Sequence, residues 1–80
     1  MAAFLLHHRH EAEKCGVAFA AFKGHDSPLR HAATFASCGA GGHEIWWIVE
    51  AASAEAALGL LPHYVAQRCI AVPIRKVQIP

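Results

Sequence analysis

The residues of this 80-residue chain best suited to chemistry are its seven histidines, His7, His8, His10, His25, His31, His43 and His63, and its three cysteines, Cys15, Cys38 and Cys69. Histidine is the commonest metal ligand and the commonest general acid or base near neutral pH. His7, His8 and His10 follow directly on the apolar run Phe4-Leu5-Leu6. On an extended strand alternate side chains share a face, so His8 and His10 point one way while His7 and Arg9 point the other, His7 towards an interface. Two imidazoles at i and i+2 form a bidentate pair. The cysteines are odd in number and lack a CxxC pair, which argues against a disulfide framework and a zinc ribbon and for reduced thiols. Imidazole and thiolate together suit zinc, nickel or copper and disfavour magnesium or calcium.

Composition bounds what can position these groups. A chain of this length buries only about 60 to 65% of the surface its unfolded form exposes, so its core is small. Yet 55% of its residues are hydrophobic and 16% charged, a surplus that implies a buried interface and a homodimer. The formal net charge is +1 without a basic run, which sets nucleic-acid binding aside. The first residues carry no basic leader and no long apolar stretch, so no membrane association is expected and the expected location is cytoplasmic.

Taken in order, residues 3–9 read as a buried strand, β1. Glu11–Phe22 reads as helix α1, with Cys15, Phe19 and Phe22 on one face, Gly16 as a weak point and Gly24 as the stop. On that face Cys15 suits a small buried hydrophobe more readily than a ligand. Gly24–Arg30 is loop chemistry around Asp26-Ser27-Pro28, which leaves His25 and His31 solvated, and His63 likewise. Ala33–Cys38 reads as strand β2, Gly39–Gly42 as a hairpin loop and His43–Glu50 as strand β3, with Trp46 and Trp47 on opposite faces, one under helices and one against a second subunit. The GAGG loop lacks the Lys-Ser/Thr of a phosphate loop, and there is no GxSxG nucleophile turn. Ser53 caps helix α2 over Ala54–Leu61, and Pro62 either kinks it or begins a short helix through Gln67. Ile70–Ile79 reads as strand β4, placed at an edge by Pro73. Cys69, with no nearby histidine but His63, reads as structural.

The order β-α-β-β-α-β is the ferredoxin-like pattern, a single α+β domain over residues 1–80 with an antiparallel sheet of order 4-1-3-2 and two helices on one face. An uncovered apolar sheet face predicts two subunits packed sheet to sheet as a dimeric α/β barrel. In that order the end of β1, the end of β2 and the start of β3 share one sheet edge, from which α1 departs. His8, His10, Cys15, Cys38 and His43 therefore converge as candidate metal ligands, with Glu11 and Glu13 as candidate partners for a ring nitrogen.

This pattern, the histidine-ended first strand and the closing segment Ile74-Arg75-Lys76-Val77-Gln78-Ile79 resemble the small ferredoxin-like proteins of bacteria, one branch of which binds or responds to nickel. The resemblance implies a dimer with metal near the sheet edge. The wider group of dimeric α/β-barrel proteins includes cofactor-free monooxygenases and lactone isomerases. Two functions are therefore weighed: a transition-metal-binding protein, and an enzyme for a small apolar or aromatic ligand with His10 or His43 as general base and a tryptophan in the pocket wall. An interaction module that binds a partner on the open sheet face is the third.

Overall fold

The computed structural model describes residues 1–80. Strand β1 runs over Ala2–Arg9, β2 over Phe35–Ala36, β3 over Glu44–Ala51 and β4 over Cys69–Ile74. The sheet order is β2-β3-β1-β4, or β4-β1-β3-β2 counted from the other edge, and every neighbouring pair is antiparallel. β1 is central, as its apolar run suggested, with Leu6 opposite Trp47 on one side and Ala71 on the other.

The helical layer is more broken than expected. Ala12–Lys14 form a 3₁₀ turn and the α-helix proper, α1, covers only Cys15–Ala20. No side chain caps either start, and Gly16 offers the helix no stabilisation, so the ends tighten into i→i−3 bonds such as Lys23 N–H to the Ala20 carbonyl at 3.0 Å. Gly24 stops the segment with φ 75°. The proline does not kink one long helix but separates two: α2 spans Ala54–Leu58 and α3 spans His63–Ala66. Three short helices thus replace the two expected. Ser53 caps α2 by accepting the Ala56 N–H at 3.1 Å.

All three helices cover one face of the sheet. Phe4 and Leu6 of β1 and Ile45, Trp47, Val49 and Ala51 of β3 form one buried cluster with Ala18 of α1, Ala57 of α2, Leu61, and Val65 of α3. On α1 the fully buried residue is Ala18, and Phe22 just beyond it packs against the same cluster, whereas Phe19 is 49% exposed, so of the expected Cys15-Phe19-Phe22 face Phe19 turns outward. The other sheet face is open, with Phe35, Ile48, Ile70 and Val72 exposed.

β4 and β2 are both shorter than their apolar patterns. Pairing of β4 ends at Ile74 opposite Ala3, because β1 has almost no residues left to pair with; Arg75–Pro80 therefore leave the sheet. β2 shrinks to two residues, and its role in the ladder is extended by Ser37, whose N–H donates to the Glu44 carbonyl at 2.8 Å. No helix is long and apolar enough to cross a membrane.

Candidate metal centre

Three elements meet at the end of the sheet from which β1 exits. The ladder between β1 and β3 runs one step past their ends, with the His10 N–H donating to the His43 carbonyl at 3.0 Å, and this brings the two imidazoles to 5.9 Å between centroids. The hairpin loop after β2 is closed by Ser37, whose carbonyl accepts the N–H groups of Ala40 and Gly42, both at 3.0 Å. Gly39 and Gly41 hold φ values of 84° and 96°, conformations that glycine adopts without a Cβ penalty. That tight loop sets Cys38 beside His10, and the start of α1 sets Cys15 on the other side.

The donor atoms of His10, Cys15 and Cys38 all lie within 4.8 Å of one another. His10 Nε2 is 3.1 Å from Cys15 Sγ and 3.2 Å from Cys38 Sγ. His43 Nδ1 is 3.4 Å from Cys15 Sγ, adjacent to this triangle without belonging to it. All four residues are half-buried. This His/Cys cluster could hold a metal ion.

His8 sits one step behind. Its side chain is fully buried, with Nδ1 3.1 Å from the Val65 carbonyl and Nε2 3.1 Å from Nδ1 of His10. A carbonyl oxygen can only accept, so Nδ1 of neutral His8 carries the proton and Nε2 is a bare lone pair. That lone pair accepts the Nδ1–H of His10, which leaves Nε2 of His10 unprotonated and aimed at the two sulfurs. One backbone carbonyl therefore fixes two tautomers in series and delivers a ring nitrogen ready to bind a thiol proton or a cation.

The electrostatics agree with that state. Burial, partly offset by the Val65 carbonyl, lowers the His8 pKa, and burial followed by the neighbouring His43 lowers that of His10. Burial raises the Cys38 thiol, as do the hydrogen bond to Cys15 and the charge Cys15 would carry. Two thiols this close resist joint ionisation unless a cation accompanies them.

Other expected participants stand elsewhere. Glu11 and Glu13 are exposed, and the partner they were expected to provide for a ring nitrogen is His8 instead. Cys69 opens β4 opposite His8, and burial pushes its thiol up to about 11, which suits an unreactive structural residue. His25 is not solvated: its Nε2 donates to the Leu60 carbonyl at 3.2 Å. His7 turns to the open face, bonded to the Glu44 carboxylate at 2.5 Å and stacked on Trp46 at 5.3 Å. Trp47 lies under the helices, 6% exposed. Sequence reasoning missed the Val65 carbonyl, which no side-chain motif announces; the expected pocket with a tryptophan in its wall corresponds to an open cleft under the Gly24–Arg30 loop, lined by Trp47. His10 and His43 do not line that cleft.

Fold and site together describe a small α+β protein with a four-stranded antiparallel sheet and a metal-competent His/Cys cluster at one sheet end. No protein-family model, curated protein or solved structure matches the chain.

Proposed function

We propose that this chain is a transition-metal-binding protein of ferredoxin-like topology that ligates one ion through His10 Nε2, Cys15 Sγ and Cys38 Sγ, with His43 or an exogenous ligand at a fourth position. The observation that carries this reading is the meeting of three donor atoms within 4.8 Å, from residues just after β1, at the start of α1 and in the loop after β2. In a tetrahedral zinc site with Zn–S and Zn–N bonds of normal length, nitrogen and sulfur are about 3.6 Å apart. The His10 to sulfur distances of 3.1 and 3.2 Å need to open by only a few tenths of an ångström. One imidazole and two thiolates balance a divalent charge, and the set suits zinc, nickel or copper, in that order of geometric fit.

His8 serves in this reading as the partner that orients His10 rather than as a ligand. Half-burial of the cluster leaves the fourth position reachable from solvent, which suits exchange, sensing or metal-assisted chemistry. The expected result is near-stoichiometric zinc, nickel or copper in protein purified without an affinity tag, lost in His10→Gln and in Cys38→Ser while the fold is kept. Equal metal content in wild type and both variants would overturn the site.

We further propose that the open sheet face pairs two copies of the chain. Support comes from the row of exposed apolar residues Phe35, Ile48, Ile70 and Val72 on that face, in a chain that buries only 12 of its 80 residues.

A further inference from the structure

The second chemical feature lies on the helix side of the sheet, beneath the segment between α1 and β2. A cleft of about 280 Å³ opens there, floored by Trp47 and Phe22 and walled by Phe19, with Lys23, Arg30 and His31 also lining it. Trp47 and Phe22 are themselves in contact, ring centroids 6.0 Å apart. No acidic residue lines the cleft, and the chain's two ion pairs both use Glu44, with His7 and Arg9. Lys23 and Arg30 are thus cations without a carboxylate partner at the edge of an aromatic hollow.

The wall is held from one side. Ser27 Oγ donates to the Leu60 carbonyl at 2.6 Å and accepts the Leu29 N–H at 3.2 Å, while His25 bonds the same Leu60 carbonyl. Beyond this anchor His31 adopts φ 68°, a left-handed conformation that costs a non-glycine residue free energy and gathers at ligand-contacting positions. The result is a small apolar hollow, pinned at its base, with unpaired positive charge at its mouth.

We propose that this cleft binds a small carboxylate bearing one aromatic ring, the ring against Trp47 and Phe22 and the carboxylate on Arg30 and Lys23. The volume, just below the usual range of ligand pockets, suits a small ligand of about one ring. The aromatic floor favours a ring over an alkyl chain. A guanidinium meets a carboxylate in a bidentate fork, which sets the orientation of the acid and penalises a neutral analogue. The site is separate from the His/Cys cluster and does not depend on a metal there.

Phenylacetate is the probe, and phenylacetamide is its neutral control. Titrated into the full chain, phenylacetate is expected to saturate with a Kd of about 1 mM or tighter, shifting the indole N–H resonance of Trp47 and sparing that of Trp46. Phenylacetamide should bind about tenfold more weakly, the value of one charge-assisted contact. Arg30→Gln and Lys23→Gln, both at exposed positions, should each weaken phenylacetate and leave phenylacetamide unchanged. Equal affinity for acid and amide, unchanged affinity in both variants, or no saturation below about 10 mM would each overturn the proposal. Chelator-treated protein should bind phenylacetate as the untreated protein does.

Discussion

His7 and His8 are neighbours in the chain and opposites in the structure. His8 is fully buried among the helices, bonded through both ring nitrogens to groups that fix its tautomer. His7 lies on the open face, a quarter exposed, paired with Glu44 and stacked flat on Trp46. The two faces of the sheet differ in the same way. One is closed by Ala18, Ala57, Leu61 and Val65, while the other presents Ile48 and Ile70, 69% and 61% exposed. A one-residue step along β1 separates a histidine buried beside the cluster from one on the open face, because strand periodicity decides the environment before chemistry does.

The largest contrast is expected between Ile45 and Ile48. Ile45→Glu puts an unpaired carboxylate in the buried cluster and should unfold the chain, at a cost above about 4 kcal/mol. Ile48→Glu should leave the circular dichroism spectrum intact and, where the open face joins two copies, shift sedimentation from dimer to monomer. A wild-type chain that sediments as a monomer would break the interface half of the comparison.

Next in size are the histidines themselves. His8→Ala strands the Val65 carbonyl, frees the Nδ1–H of His10 and opens a cavity, which together cost about 2 to 4 kcal/mol. For a domain of this size that lowers Tm by more than about 8 °C. His7→Ala removes a partly exposed contact with the Glu44 carboxylate and should cost about 1 kcal/mol or less in denaturant titration. Comparable losses in the two variants would show that the faces are not energetically distinct.

Much of this arrangement was legible in the sequence, and the exceptions have physical causes. Phe4, Leu5 and Leu6 marked the central strand, and the period-two placement of His8 and His10 against His7 survives in the structure. The convergence of Cys15, Cys38 and His43 on His10 followed from connectivity alone. What periodicity could not show was the division of labour within the set, since whether His8 ligates or orients depends on a backbone carbonyl in α3, 57 residues away. The helices are shorter than their apolar faces suggest, because an apolar face can be buried by one or two turns. In α1 the helical bonds give way to tighter turns at both ends, and Phe19 stays outward. The tail Val77 to Ile79 has strand composition but no strand beside it to pair with.

Among the cysteines the comparison recurs on a smaller scale. Cys15 and Cys38 face His10, whereas Cys69 faces the buried layer with its thiol pushed up to about 11. Cys15→Ser and Cys38→Ser should each weaken zinc binding by about 100-fold or more in competition with a chromophoric chelator, a loss larger than that for a supporting residue. Cys69→Ser should not change it. Iodoacetamide at neutral pH should modify the metal-free protein at Cys15 and Cys38 first, and metal should protect both.

The smallest effect expected is on the stability of the metal-free protein as pH falls. Burial depresses the pKa of both His8 and His10 below the ordinary value of 6.5. The folded state therefore resists protons that the unfolded chain accepts. The sign follows from linkage: stability is full above about pH 6.5 and declines as pH drops from there towards the folded-state values, because the unfolded state binds more protons in that window. Denaturant midpoints at about pH 7.5 and 5.5 should differ in that direction. The difference should shrink when His8 is replaced by glutamine, which keeps a polar group at the position without a titrating ring. Replacing His7 by glutamine should leave His8 and its part of the decline in place, and a decline abolished by that change would place the pH response on the open face instead of at the cluster.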